Sequence, residues 1–330
     1  MPADILIAGQ GLAGTLLAWE LERAGISFLI ADRGHGTAAT LAAAGIINPI
    51  TGRRLVKSWR YVALRPAAAA VYRELEAALG VPVWREMRVR REFADDRERA
   101  VFAEKQARGE LAPLVEAADD TGFWIRDAAR VALGPLLGAA RARWAAMGRL
   151  REEGANLAAA SRHFALVIDC TGMSAATGAD EFQFVPWEYS KGEVLEIAVA
   201  DLAPDVVLNC RHWVVPVGDR VAWVGATHEP RVRDARPSAA ARAALEHSAR
   251  GLLGARAFAV TGHHAGVRVN LPDKRPVAGR HPTRARVGIC NGLGGKGALW
   301  APLLARQWRN HLTTGAPFDA EIDVRRFARR

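Results

Sequence analysis

Residues 4–32 carry the pattern that most constrains what this chain can fold into. Ile5 to Ala8 is a short apolar run, as a parallel strand buried on both faces requires, and it leads directly into Gly9-Gln-Gly11-Leu-Ala-Gly14. Gly9 permits a tight turn, Gly11 lets the backbone approach a pyrophosphate, and Gly14 allows the following helix to pack closely on the strand. The helix predicted over Leu12–Ala24 aims its positive end, with the amides of Leu12, Ala13 and Gly14, at the phosphates. Gly25 ends it, Ser27 to Ala31 reads as the second strand, and Asp32 stands at that strand's end, placed to accept a hydrogen bond from a ribose 2′-OH. An acid there disfavours a 2′-phosphate, so the site suits an ADP-containing cofactor other than NADP; Arg33 is grouped with it. A glycine turn without a ligand would need neither the helix nor the terminal acid in register.

At 330 residues the chain exceeds what one core usually supports, so two domains are expected. No stretch is long and apolar enough to span a bilayer. The first strand begins too early for a cleavable leader, which, with Cys170, Cys210 and Cys290 widely spaced and outside any metal-binding pattern, leads us to expect a cytoplasmic protein with reduced thiols and no metal. The net charge of +10 raises nucleic acid as a partner. Forty of the 45 basic residues are arginine beside abundant alanine, which also fits a compositional bias expressed on solvated faces. The densest runs, 85–91 and 325–330, lack interleaved aromatics.

Beyond residue 32 the periodicity predicts helices over 65–79, 95–107 and 133–147, and strands over 83–93 and 164–169. β-rich runs follow one another from Val194 to Val224, as in an antiparallel sheet. α/β segments thus flank a β-rich insert.

In this order the motifs resemble those of the FAD-dependent oxidoreductases of the D-amino acid oxidase and glycine oxidase family, over nearly the whole chain. Thr40-Leu-Ala-Ala-Ala44-Gly45-Ile-Ile-Asn-Pro resembles the small-residue segment beside the isoalloxazine, and Asp169-Cys-Thr171-Gly172 the turn that closes over the ADP. His212-Trp213-Val-Val-Pro and Val224-Gly-Ala-Thr resemble paired strands of the substrate sheet. Gly266-Val-Arg268 through Gly279 is similar to the late arginine motif, and Asn291-Gly292-Leu-Gly294-Gly295-Lys296-Gly297 to the C-terminal flavin motif. The resemblance implies a Rossmann-type α/β FAD-binding domain with an interleaved antiparallel β-sheet substrate domain, and oxidation of the C–N bond of an amino acid or secondary amine. We divide the chain into an FAD-binding domain of 1–75, 133–180 and 258–330 and a substrate domain of 76–132 and 181–257.

Physical readings accompany the late motifs. Gly292 to Gly297 followed by a helix over 298–310 makes a second backbone-amide nest, whose partial positive charge suits the flavin N1–C2=O edge; an ordinary capped helix would look the same. Lys296 points either to the flavin or to solvent. The arginine matching Arg268 grips the substrate carboxylate in the family, with two parallel hydrogen bonds available to a guanidinium. The plain alternative is a structural ion pair with Asp273. Trp213 and His212 stand where the family places side chains over the substrate, although core packing explains an aromatic there equally. No base is assigned among His228, His263 and His264.

The chain also departs from the family. The second arginine of the glycine oxidases falls at Gly295, and Ala42, with no cysteine near Arg268, makes the FAD non-covalent. Trp223 replaces the oxygen-activating lysine of sarcosine-oxidase-like relatives, which leaves oxygen or another electron acceptor open. The C-terminal motif also resembles the oxidase half of the bifunctional tRNA wobble-uridine modifying enzyme. A tRNA-borne amine is therefore the alternative substrate, and a flavoprotein without turnover the third reading.

Overall fold

The computed structural model describes residues 4–34, 36, 38–174 and 180–328. Arg329 and Arg330, which end the second arginine run, and residues 1–3 of the expected first domain lie outside the described residues.

The nucleotide unit forms as its sequence predicts. β1 (Ile5–Ala8) is followed by α1 (Leu12–Arg23) and β2 (Phe28–Ala31), and the two strands pair in parallel, Ile5 opposite Phe28. Short strands β3 (Ile46–Ile47), β4 (Ile50–Thr51) and β5 (Val56–Lys57) then lead to α2 (Tyr61–Leu79). That helix starts four residues before the alanine-rich pattern suggests. Tyr61 Oη bonds Asp127 O, and Arg60 is tied to Asp319 and Glu321, so tertiary contacts hold the helix start ahead of Pro66, which lies in its second turn.

The chain continues through β6 (Trp84–Glu92), α3 (Asp96–Ala107), β7 (Val115–Asp119) and β8 (Gly122–Val131). It returns through α4 (Leu133–Ala146), β9 (Leu150–Arg151), α5 (Leu157–Ala160) and β10 (Leu166–Asp169). β11 (Glu188–Val199), β12 (Val206–Asn209), β13 (Trp213–Gly218), β14 (Val221–Gly225) and β15 (Glu229–Pro230) follow, then α6 (Ala239–Leu253), a helix that the sequence reading passes over. β16 (Phe258–Asn270), β17 (Val277–Arg280), β18 (Val287–Asn291) and α7 (Gly297–Thr314) complete it.

Two large sheets organise these elements. The first has the order β17-β18-β10-β1-β2-β9, parallel apart from β17 at its edge. Strand alternation divides its faces. Ile5 and Ile7 pack with Leu16, Leu17 and Trp308 on one side, while Leu6 and Ala8 meet Leu157 and Val167 on the other. Each fully buried leucine contributes about 1.5–3 kcal/mol, and Leu16, Leu17 and Leu304 are all inaccessible.

The second sheet runs β15-β11-β14-β13-β12-β6-β8-β3, with β16 on β11 and β7 on β8. It is antiparallel, as expected, except where β12 lies parallel to β6, Val206 opposite Arg88. Residues 258–270, grouped by sequence with the nucleotide domain, pair along β11 from Glu188/Asn270 to Val199/Phe258. We therefore propose the last domain crossing after Asn270, because a strand with its full ladder in one sheet cannot belong to the other. One face of this sheet is covered by α6, through Leu245, Ala249 and Leu253 against Leu195, Val214 and Val224. The other face turns toward the nucleotide unit.

Gly14 is the contact on which this arrangement turns: a Cβ there would lie 1.9 Å from Gly9 O, whereas a Cβ at Gly11 would meet nothing nearer than Thr40 Oγ1 at 3.7 Å. Gly14→Ala should destabilise the fold by about 1–3 kcal/mol, the usual cost of overpacking. Gly11→Ala should keep the melting temperature of the cofactor-free protein yet weaken FAD retention. Thermal unfolding with and without FAD separates the two.

Candidate functional site

The turn after β1 is built to let chains approach. Gly9 has φ +94°, donates to Ala31 O at 2.8 Å, and leaves no room for a Cβ, which would stand 2.9 Å from Cys170 O. The β1 turn and the Cys170-Thr171 turn are thereby pressed together. α1 begins at Gly11 with no side-chain cap; Thr40 Oγ1 accepts from Leu12 N at 3.3 Å, and the next amides have no acceptor within the helix. An uncapped helix start above an open glycine fits a diphosphate.

Asp32 is more engaged than its sequence position shows. Its carboxylate accepts from Gln10 N at 2.8 Å, Gly34 N at 2.9 Å and Arg141 Nη1 at 3.0 Å. With about four lone-pair positions on a carboxylate, one remains for a ribose hydroxyl. Arg141, on α4, also bonds Gln10 Oε1 at 2.9 Å and Glu152 at 2.8 Å; no local pattern marks it. Arg33 lies against Gly154, where a Cβ would fall 2.3 Å from its Nε, rather than over the Gly9–Gly14 turn.

One hydrogen bond joins the Thr171-Gly172 turn to the late glycine turn, and a second steadies the side chain that makes it. Asn291 Nδ2 donates to Gly172 O at 2.9 Å, and Gly292 N donates to Asn291 Oδ1 at 2.7 Å. Beside them Asp169 is fully enclosed and accepts from Thr171 N and Thr171 Oγ1 at 2.9 and 2.7 Å. Burial pushes its carboxyl up to about 6 against those two bonds, with the Glu181 charge adding to the rise.

At the other end, Gly45 has φ +72° and its missing Cβ would stand 2.0 Å from Val131 O. Arg130 Nε donates to Ala44 O at 3.2 Å and so holds the small-residue segment from the second sheet. Burial, then the neighbouring Arg85 charge, pushes the Arg130 guanidinium down to about 10. Sequence reasoning missed Arg130 as it missed Arg141. Across the site, Gly294 N donates to Val269 O at 2.9 Å, and α7 starts at Gly297 after Lys296, again without a side-chain cap. Uncapped amides there, at the positive end of a helix, fit an edge that gains negative charge.

Between these walls opens a cleft of about 600 Å³ lined by Ile47, Asn48, Asn270, Gly295, Lys296 and Trp300, with Arg53, Arg54 and Lys274 also on it. Its size is that of a small-molecule site. Lys296 is partly buried, which pushes its ammonium down, and Nζ stands 5.9 Å from the Trp300 ring centre. It therefore faces this cleft rather than bulk solvent.

Arg268 lies beside the cleft. Its guanidinium covers the backbone of Gly192, where a Cβ would be 2.1 Å from Nη2, and Nη1 donates to Thr227 O at 3.2 Å. Its Cδ is 3.8 Å from the position of a Cβ on Gly295. Among the described residues no carboxylate lies within ion-pair distance of it; Asp273, the alternative partner, is taken by Arg326 at 3.0 Å. Burial pushes the Arg268 guanidinium down. Trp213 shares this inner face, its ring lying over Gly225, 2.9 Å from where a Cβ would be. His212 does not. Its Nδ1 is 2.7 Å from Ser248 Oγ on α6, behind the sheet, and burial followed by Arg211 pushes its imidazole down. The expectation that His212 faces the substrate is corrected: adjacent residues entering a strand point to opposite faces. Trp223 stacks on His264 with ring centres 5.7 Å apart.

A Rossmann-type sheet with two uncapped helix starts, facing a second sheet across a cleft, defines a dinucleotide-dependent oxidoreductase architecture. Residues 4–308 match the family model of the FAD-dependent oxidoreductases called DAO, and the chain belongs to that family; its cofactor is FAD. Iminodiacetate oxidase from Chelativorans sp. BNC1 superimposes with a TM-score of 0.78 at 20% identity, covering 96% of this chain and 97% of that one. Glycine oxidase from Geobacillus kaustophilus does so with a TM-score of 0.74 at 19% identity, covering 96% of each. Both show the shared fold. The tRNA 5-methylaminomethyl-2-thiouridine biosynthesis bifunctional protein MnmC of Maricaulis maris (strain MCS10) is 32% identical over 321 residues, 95% of this chain. The chain spans about half, 52%, of the length of that curated relative.

Asp169 gives this site a pH signature. A carboxyl whose folded value is raised binds its proton more tightly in the folded state, so stability falls as pH rises from about 4 toward 6. Its ionisation costs roughly 3 kcal/mol by linkage. Asp169→Asn keeps an acceptor for Thr171, and its stability relative to the parent should rise across that window, measured by denaturant unfolding at pH 4, 5, 6 and 7. A constant difference would contradict the assignment.

Proposed function

We propose that this protein oxidises the C–N bond of an amine or amino acid that carries a carboxylate, with Arg268 as the carboxylate anchor. The observation that carries the reading is a desolvated guanidinium beside the cleft with no carboxylate partner among the described residues. A buried charge left without a counter-ion is costly, and a ligand carboxylate offsets that cost with charge-assisted, bidentate bonds. FAD, when bound, supplies the hydride acceptor. The protein's own part is to bind and orient. Arg268 fixes the carboxylate, and with it the adjacent carbon. Trp213 walls the inner face, and the amides of Gly295 and Gly297, at the positive end of α7, stabilise negative charge at the cofactor edge near them. The amine must arrive neutral for its carbon to give up hydride. Gly295 leaves space where glycine oxidases place a second arginine, so a bulky nitrogen substituent is compatible with the site. We keep a cytoplasmic location and a non-covalent FAD as parts of this reading.

A second reading places that amine on tRNA. The relation to the Maricaulis maris protein favours it, as do Arg54 and Lys296 on the cleft, which have no carboxylate partner among the described residues, whereas Arg53 and Lys274 are paired with Asp95 and Glu188. With about 0.7 counterion released per neutralised single-strand phosphate, two such contacts give a log–log salt slope of about −1.4. Fluorescence titration of unmodified and modified tRNA between low and moderate salt measures it; absence of binding at low salt would remove this second reading.

Arg268→Ala should retain FAD, judged by the visible spectrum, and lose about a hundredfold in kcat/KM on a carboxylate-bearing amine, the equivalent of about 3 kcal/mol for a pair of charged hydrogen bonds. An amine without the carboxylate should be much less affected. Equal losses on both would remove the anchor assignment.

A further inference from the structure

Behind Arg268, on the opposite face of β11, lies a group of charges that the proposed chemistry does not use. Glu193 is fully buried and Lys191 5% exposed, and Lys191 Nζ is 3.0 Å from Glu193 Oε1 and 3.4 Å from Asp234 Oδ1. Ser238, the N-cap of α6, donates to Glu193 through its backbone N at 2.8 Å and its Oγ at 3.0 Å. His263 Nε2 stands 2.8 Å from Glu193 Oε2, outside hydrogen-bonding geometry. Burial works against charging Glu193, yet Ser238 and Lys191 hold its carboxyl below the usual range.

The backbone of Glu193 is tied to the segment that touches Arg268. Thr227 N donates to Glu193 O at 3.1 Å, and Glu193 N donates to Thr227 Oγ1 at 2.9 Å. Thr227 O is the carbonyl that accepts from Arg268 Nη1. One residue away on β11, Gly192 is the floor under the guanidinium. The two ends of the 226–238 segment, Thr227 and Ser238, thus meet on the same residue of β11. A buried ion pair is a poor source of net stability, because apolar packing of equal volume usually does as well, but it fixes geometry where a specific pose is needed.

We propose that Lys191, Glu193 and Ser238 form a positioning device, which locks the 226–238 segment onto β11 so that Thr227 O holds the Arg268 guanidinium in its carboxylate-binding pose. The inference rests on the Arg268 reading above. Glu193 and Thr227 are positioning residues: they touch neither substrate nor cofactor, and they act on carboxylate affinity through Arg268.

The test uses the FAD-loaded protein with Thr227→Val, Thr227→Ser, Glu193→Gln and Arg268→Ala. Acetate binding is measured by calorimetry, and kcat and KM on an N-substituted glycine and on the corresponding amine without the carboxylate. Thr227→Val removes the acceptor for Glu193 N, and Glu193→Gln removes the charge held by Lys191. Both should weaken acetate binding about tenfold and raise KM for the glycine derivative by a similar factor, the effect of about one lost hydrogen bond, with a much smaller change in kcat. Thr227→Ser should bind acetate like the parent. Native acetate affinity in both Thr227→Val and Glu193→Gln would overturn the inference. So would equal losses on the two substrates, or loss of folded protein in both, which would assign the cluster to stability alone. Arg268→Ala separates the levels: if it binds acetate normally the anchor reading itself fails, whereas if it alone loses acetate only the positioning inference fails.

Discussion

One contact between backbones sets the geometry of this molecule. The missing Cβ of Gly14 lets α1 descend onto the Gly9 turn, and the missing Cβ of Gly9 lets that turn meet Cys170. From this point β1, β10 and β18 pair in parallel, and the turns that follow β10 and β18 come within hydrogen-bonding reach of one another through Asn291. The late glycine motif, some 280 residues from the first, is thereby brought to the same end of the sheet. A ligand at that end meets two helix starts whose N-cap residues supply no side-chain cap, with Leu12 N alone taken by Thr40, in keeping with the general preference of open α/β sheets for ligands at their carboxyl ends.

The second sheet contributes a different constraint. It presents small residues where the chains must be close, with Gly266 a short distance from Ala39 and Ala42, and Gly192 under Arg268. Burial lowers Arg130 and Arg268 on this sheet, and Lys296 at the start of α7 across the cleft. Arg91 is paired with the buried Glu98, whereas Arg130 and Arg268 are held by the carbonyls of Ala44 and Thr227. Because a buried cation without a counter-ion is costly, we propose Arg268, beside the cleft, as the one that takes an anion.

Local signals were legible in the sequence and nonlocal ones were not. β1, α1 and β2 follow from apolar periodicity and glycine placement within a few residues, and Asp32 falls where the unit predicts it. Arg141 reaches Asp32 from 109 residues away, and Arg130 reaches Ala44 from 86. Neither lies in a pattern that announces it. Residues 258–270, which the sequence groups with the FAD-binding domain, pair along β11, and no property of those residues alone encodes that pairing. The sequence sets His212 and Trp213 side by side, but strand alternation sends adjacent residues to opposite faces: His212 meets Ser248 behind the sheet, and Trp213 lies on the inner face.

We propose that a carboxylate held by Arg268 places a C–N bond for oxidation by bound FAD. The most direct measurement is the anaerobic visible spectrum of the FAD-loaded protein during titration with an N-substituted glycine and, separately, with the same amine lacking its carboxylate. The carboxylate-bearing amine, free or attached to a tRNA nucleoside, should bleach the flavin band at concentrations at which the other leaves it unchanged. Equal bleaching by both amines, or none by any carboxylate-bearing amine in either form, would contradict the proposal.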